Sequence, residues 1–149
     1  MKKINLITLF LCTIPHLMIG SHYVSPWGND SNDGLSWTTA QATIQHAINT
    51  STAGDTVFLA GGKYNQSFTL ANGIHVFGGY DILTGIRDNN LHPSIIDGKG
   101  LFNTIISSHS GYTQTTIVDG LTIENANHTR NGGGAHLHTN CVLQNCTIR

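Results

Sequence analysis

Carboxylates in matching positions are the first residues that could carry chemistry. Asp97 and Asp119 each precede a glycine. If their segments stack as neighbouring strands, the two carboxylates would lie about 4.8 Å apart, which suits glycoside hydrolysis or calcium binding. Asp before Gly is also typical of tight turns, and we interpret both residues as turn residues. Glu124 shows no carboxylate partner in the sequence.

Basic residues and histidines give weaker signals. Arg87 precedes Asp88, which favours a local ion pair or a loop anchor over catalysis, and Arg130 is expected to be solvated. His136 and His138 alternate along a predicted strand and so share a face, where they could bind a metal with a third ligand. His109 and His128 are candidates for that ligand, but we favour a solvated strand face.

Asn29, Ser31 and Asp33 partly resemble a calcium-binding loop. An EF-hand would need a glutamate where Ala40 stands, so we interpret the segment as a turn cluster, with a looser calcium-stabilised cap as the alternative. Trp27 and Trp37 flank it, and packing of the cap is favoured over stacking on sugar. The sequence therefore predicts no catalytic, cofactor-binding or metal-binding residue, and calcium is the one cofactor left open.

An internal repeat indicates the scaffold that would position these residues. Residues 116–123 (TIVDGLTI) align with residues 141–148 (CVLQNCTI) at an offset of 25, and Ile96-Asp97-Gly98 matches Val118-Asp119-Gly120 at an offset of 22. Short apolar strands recurring at such periods predict a β-solenoid whose units bury their apolar faces against each other. Gly120 and Asn145 are expected at left-handed corners.

Other segments complete the predicted solenoid. A short helix over residues 40–49, capped by Thr38 or Thr39, would bury Ile44, Ala47 and Ile48 and cover the first coil. Strands or extended segments are predicted over residues 23–25, 56–60, 64–70, 74–80, 94–97, 101–107, 116–123, 135–138 and 141–148. Residues 81–93 would form a long polar excursion.

Two cysteines, Cys141 and Cys146, fall at positions predicted to face inward. We expect both to be free and buried as small apolar residues. A disulfide is the alternative, and it would need a local bend because extended chain holds the two apart.

The N-terminus has the pattern of a secretion signal over residues 1–21, with Lys2 and Lys3 before an apolar run and a cut after Gly20 or Ser21. The alternative is a lipoprotein signal in which Cys12 is the lipid-bearing cysteine. The run is too short for a membrane-spanning helix.

Cleavage would leave 128 residues with a net charge of −3, which argues against a nucleic-acid partner. The predicted domains are the signal (1–21), a cap with a short helix (22–55) and the first coils (56–149).

The chain resembles the right-handed parallel β-helix proteins of the pectin-lyase-like superfamily. It is most similar to bacterial surface proteins with polymorphic-outer-membrane-protein-like repeats. The motifs that carry the resemblance cover nearly all of residues 22–149: YVSPWGNDSNDGLSW (23–37), AQATIQHAI (40–48), AGDTVFLAGGKYN (53–65), VFGGY (76–80), RDNN (87–90), SIIDGKG (94–100), VDGLTI (118–123), NGGGAHL (131–137) and LQNCTI (143–148).

The resemblance implies an all-β fold, a right-handed parallel β-helix with an N-terminal capping helix, with further coils expected downstream. It also implies a secreted or cell-surface protein with a structural, adhesin-like or polysaccharide-binding role and no catalysis of its own. Its partners would be a polysaccharide or a host or cell-surface ligand. The alternative is the front part of a polysaccharide lyase or glycoside hydrolase whose site lies mostly beyond this chain. Fold alone does not decide between these functions.

Overall fold

The computed structural model describes residues 20–127 and 133–149, which form three parallel β-sheets and one short α-helix. The elements are β1 (Ser21–Val24), a 3-10 turn (Trp37–Thr39), α1 (Ile44–Thr50), β2 (Thr56–Ala60), β3 (Gly62–Tyr64), β4 (Phe68–Thr69), β5 (His75–Tyr80), β6 (Ser94–Asp97), β7 (Ile106–Ser107), β8 (Thr116–Asp119), β9 (Leu121–Glu124), β10 (Ala135–His136), β11 (Cys141–Gln144) and β12 (Thr147–Ile148). The prediction of a mostly β chain with one helix is confirmed.

From β2 onward, the chain visits the three sheets in a fixed cycle. The first sheet has the order β1-β2-β5-β8-β11, the second β12-β9-β6-β3, and the third β10-β7-β4. All these strand pairs are parallel. Each turn of the cycle therefore stacks one strand on each sheet formed by the previous turn, which agrees with the solenoid that the repeat predicted.

The 25-residue repeat is confirmed by the register of the last strands. Val118 pairs with Leu143 and Ile123 pairs with Ile148. The corners at Gly120 and Asn145 both have left-handed backbone angles, with φ of 72° and 50°. These two residue types tolerate such angles at low cost, so the corner lets the strands on both sides direct apolar residues inward.

The 22-residue match is wrong. Ile96 pairs with Ile123, 27 residues later, so Asp97 lies beside Glu124 on the second sheet. Asp119 ends β8 on the first sheet, opposite Phe77. The two Asp-Gly pairs therefore occupy different corners of the coil, and the predicted stacking of Asp97 on Asp119 does not occur.

The helix begins later than predicted. Thr43, not Thr38 or Thr39, is the N-cap, and its hydroxyl accepts a hydrogen bond from the backbone N–H of His46. Ala40 and Gln41 are not helical because their backbone pairs with the first strand and the loop after it. The predicted stripe of Ile44, Ala47 and Ile48 is buried.

Inward side chains of all three sheets form the core. Among the largest fully buried side chains are Leu59, Ile96, Ile105, Ile106 and Ile123. Several strands are shorter than predicted: β3 and β4 replace the run 64–70, β7 replaces 101–107, and β10 replaces 135–138.

Cys141 and Cys146 are free, as expected, but they are only partly buried against the core. Burial raises the pKa of the Cys146 thiol, and the backbone N–H of Leu121 donates to its sulfur at 3.4 Å.

The part of the chain that the structure describes contains no helix of the length and apolar character needed to cross a membrane.

Candidate functional site

An aromatic cluster covers the outer face of the first sheet. Tyr23, Phe58 and Phe77 are register partners on β1, β2 and β5, and their ring centroids lie 5.5 Å and 6.4 Å apart along this column. Trp37 packs on Tyr23 at 4.7 Å, and Tyr80 packs on Phe58 at 5.0 Å. Such edge-on aromatic pairs stabilise beyond the area they bury.

This aromatic cluster fixes two loops, the first loop (residues 26–36) and the second loop (residues 81–93). Trp37, just after the first loop, contacts Tyr80, just before the second loop, at 5.8 Å. A methyl group added at Gly85, in the second loop, would lie 3.9 Å from the Trp37 indole nitrogen. The two loops are therefore held side by side on the first sheet.

Arg87 ties the second loop to the body of the protein. Its Nε donates to the Gly78 carbonyl at 2.7 Å, and its guanidinium bonds to the Asp119 carboxylate at 2.5 Å. The guanidinium carbon lies 5.5 Å and 5.8 Å from the rings of Phe77 and Tyr80, within cation–π range. The loop anchor predicted for Arg87 is present, but its partner is Asp119 and not Asp88.

Asp119 is nearly buried, with a side chain only 7% exposed. Burial by itself would raise its pKa, but hydrogen bonds from Arg87, Gln144 and Asn145 lower the pKa overall. Asp119 is therefore a charged structural residue that ties the second loop to the last coil.

Trp27 stands apart from the aromatic cluster. Its side chain is 74% exposed, so the prediction that both tryptophans pack the cap is correct for Trp37 and wrong for Trp27. The turn holding Trp27 is fixed by the Ser25 carbonyl and hydroxyl, which accept from the N–H groups of Gly28 and Trp27. A methyl group added at Gly62 would lie 3.7 Å from the edge of the indole, in ordinary contact, and only 2.8 Å from Cγ of the preceding Pro26.

Trp27 forms one wall of a groove of about 560 Å³ between the two loops, which we call the Trp27 groove. Its volume lies within the range of about 300–1,000 Å³ that small-ligand sites occupy. The groove is lined by Trp27, Gly61, Gly62, Lys63, Tyr80, Asp81, Ile82, Leu83, Leu91, His92, Pro93 and Ile95. Leu83 and Leu91 are 90% and 74% exposed, and such a concentration of exposed apolar side chains is typical of an interaction site.

The ionisable groups of the groove already have partners. Lys63 Nζ lies 3.1 Å from Asp97 and 2.7 Å from Glu124. Asp81 accepts from the backbone N–H of Leu83, and this hydrogen bond lowers the pKa of Asp81. His92 Nε2 lies 4.0 Å from the other Asp81 oxygen.

Asp97 and Glu124 are the neighbouring carboxylates that the structure brings together, a pair that the sequence analysis missed. Hydrogen bonds from the Asn125 amide and the Lys99 backbone N–H, together with Lys63, lower the pKa of Asp97 to about 2. Lys63 and Arg149 lower the pKa of Glu124. A glycosidase needs one carboxylic acid with a raised pKa, so this pair does not fit that role.

The histidines and the first loop offer no assembled metal site. The rings of His136 and His138 lie 5.1 Å apart, but within residues 20–127 and 133–149 no three His, Cys, Asp or Glu side chains gather as metal ligands. Asn29 and Asp33 accept from the backbone N–H groups of Ser31 and Leu35, as turn residues do. The predictions for His128, Arg130, Cys12 and the signal up to residue 19 lie outside the described residues.

Asp30 and the outer aromatic residues are the main features that the sequence analysis did not identify. Asp30 accepts hydrogen bonds from the backbone N–H groups of Ala42 and Thr43 and from the Thr43 hydroxyl, so it ties the first loop to the start of α1. Its position one residue after Asn29 gave no distinguishing signal. The alternation of Tyr23 and Phe58 with buried neighbours could have indicated an outer aromatic face.

Comparison of the chain with protein-family models, with curated proteins and with solved structures gave no match. The interpretation of the Trp27 groove therefore depends on its own geometry.

Proposed function

We propose that this chain is a secreted or cell-surface protein that binds polysaccharide in the Trp27 groove, on a scaffold that is a right-handed parallel β-helix of the pectin-lyase-like type. The observation that carries the proposal is the indole of Trp27, 74% exposed yet held in a fixed turn beside the groove. The cyclic path through three parallel sheets supports the scaffold.

An exposed tryptophan offers a ligand a large apolar area, whose removal from water would favour binding. A pyranose ring presents an apolar C–H face that covers an indole, while its hydroxyls remain at the rim. Lys63, Asp81 and His92 supply the polar groups of the lining. The Trp27 groove combines an aromatic platform with a few polar groups, as ligand sites commonly do.

The scaffold supports this role because aromatic packing and an ion pair hold the walls of the groove in place. Tyr80 belongs both to the aromatic cluster and to the groove wall, and Arg87 holds the second loop against the first sheet. A preformed site loses less conformational freedom when it binds. The same rigidity suits a structural or adhesin-like surface protein, for which glycan binding would supply the attachment.

The test is glycan-array screening of the purified protein with and without calcium, followed by calorimetric titration of Trp27→Ala. We expect at least tenfold weaker binding, equivalent to about 1.4 kcal/mol, with an unchanged melting temperature because the side chain is mostly exposed. Leu35→Ala is the matched control, since Leu35 is also exposed, at 65%, but does not line the groove. Undiminished binding by Trp27→Ala, or no glycan bound by the parent protein, would contradict the proposal.

A further inference from the structure

We infer that the Trp27 groove selects neutral pyranose chains with equatorial hydroxyls and discriminates against the corresponding uronate chains. This inference rests on the proposed function and names the class of glycan that the groove takes. It follows from the apolar lining of the groove and from the charges around it.

The one lysine that lines the groove offers a ligand carboxylate no net positive charge, because two protein carboxylates already pair with it. Lys63 Nζ lies between the carboxylates of Asp97 and Glu124, at 3.1 Å and 2.7 Å, and these contacts raise the pKa of Lys63. Those carboxylates are nearly buried, with side chains 8% and 12% exposed. The Lys63 side chain is 48% exposed and has three N–H donors, so one donor can still reach a ligand, but its charge is already balanced by these carboxylates.

A second cation, close to the groove wall, is also engaged. Arg87, beside the groove wall at Tyr80, bonds to the Asp119 carboxylate and the Gly78 carbonyl. Among the described residues, the second loop therefore presents no unpaired arginine to the groove.

Asp81 adds a negative charge to the rim. One of its oxygens accepts from the Leu83 N–H and the other from the Thr84 hydroxyl, and its lowered pKa keeps it ionised near neutral pH. His92 is its only nearby basic partner among the groove residues, at 4.0 Å. A ligand carboxylate close to this rim would be repelled by the charge of Asp81.

The walls favour the flat faces of a sugar. Trp27, Leu83 and Leu91 are the most exposed apolar side chains of the groove. A pyranose whose hydroxyls are all equatorial exposes C–H groups on both faces, so it can cover apolar side chains and keep its hydroxyls in water. Axial hydroxyls would place polar groups against these walls, at the cost of desolvation.

The test compares cello-oligosaccharides with their C6-oxidised, glucuronate-containing forms, which differ only in the carboxylate. Calorimetry at low salt should show about three- to tenfold weaker binding of the oxidised chain, the effect of one like charge across a wet groove, and added salt should narrow the difference. Asp81→Asn should remove most of the discrimination. Asp33→Asn is the matched control, because Asp33 makes the same turn contact, with Leu35, outside the groove.

The outcomes separate the two proposals. Equal or tighter Trp27-dependent binding of the oxidised chain would overturn the selectivity and leave glycan binding in place. Discrimination that persists unchanged in Asp81→Asn would also overturn it. If neither chain nor any array glycan binds, the proposed function fails and the selectivity fails with it.

Discussion

Replacement of Arg87 by alanine should destabilise the protein through the charge it leaves behind. Asp119 has a side chain only 7% exposed, and Arg87 is its one cationic partner among the described residues. Removal of one member of a fully buried ion pair costs about 3–5 kcal/mol. Arg87 is itself 30% exposed, so water can partly replace it, and two amide donors, Gln144 and Asn145, remain on Asp119. We expect a loss of about 2–3 kcal/mol in the free energy of unfolding.

Urea unfolding followed by circular dichroism would measure this loss. With a slope of about 1.5–2 kcal/mol/M, the midpoint should fall by about 1–2 M. Arg87→Lys should give an intermediate value, because a lysine keeps the charge but cannot donate to Asp119 and to the Gly78 carbonyl in the same fork geometry.

The double variant Arg87→Ala with Asp119→Asn provides the control. It leaves no buried charge, so it should be more stable than Arg87→Ala alone by about 1 kcal/mol or more. The proposed role of Arg87 in compensating the Asp119 charge would be refuted by either of two results. One is a free energy of unfolding for Arg87→Ala within about 0.5 kcal/mol of the parent value, and the other is a double-variant loss equal to the sum of the two single losses.

Three further predictions concern single positions. In urea unfolding, Gly120→Ala should have a free energy of unfolding at least about 1 kcal/mol lower than that of Gly100→Ala. Both glycines have left-handed φ, but only at Gly120 would the new methyl lie 2.5 Å from the Arg87 guanidinium. Equal losses of stability would show that this contact is unimportant. Asp97 has a folded-state pKa of about 2, below its unfolded value, so its contribution to stability is present at neutral pH and is lost as the pH falls from about 4 toward 2. In a plot of the urea midpoint against pH, Asp97→Asn should therefore reduce the slope between about pH 4 and pH 2. An unchanged plot would contradict this role of Asp97. Thr43→Ala should cost about 1 kcal/mol as a lost N-cap, measured by thermal melting, and a neutral result would mean that Asp30 alone fixes the start of α1.

The repeat could be predicted from the sequence where the local chemistry was specific. Gly120 and Asn145 stand at corresponding corners, and both residue types are suited to left-handed angles, so the 25-residue offset was correct. The 22-residue offset failed because Asp-Gly serves more than one kind of corner. In the pair Asp119-Gly120 the glycine itself has a left-handed φ of 72°. At the corner after Asp97-Gly98, the left-handed residues are the next two, Lys99 and Gly100.

The candidate site could be predicted only in part. The sequence identifies Trp27 and Trp37 as notable, but their exposure depends on which strand lies beside which. Trp37 reaches Tyr80, 43 residues away, only because β1, β2 and β5 are neighbours in one sheet. The pairing of Asp97 with Glu124 likewise follows from the register of β6 on β9, which a 27-residue spacing without a shared motif did not reveal.

The unequal lengths of the coils have a consequence for how new binding properties could arise. On the first sheet, Val57 pairs with Val76 after 19 residues, Val76 with Val118 after 42, and Val118 with Leu143 after 25. The strand stacking is thus insensitive to how much chain is inserted between sheets, and the cost of a longer loop grows only slowly with its length. The second loop could therefore be exchanged for segments of other length and composition if Arg87, the partner of Asp119, is kept, which would make this fold a suitable frame for grafting and selecting new ligand specificities.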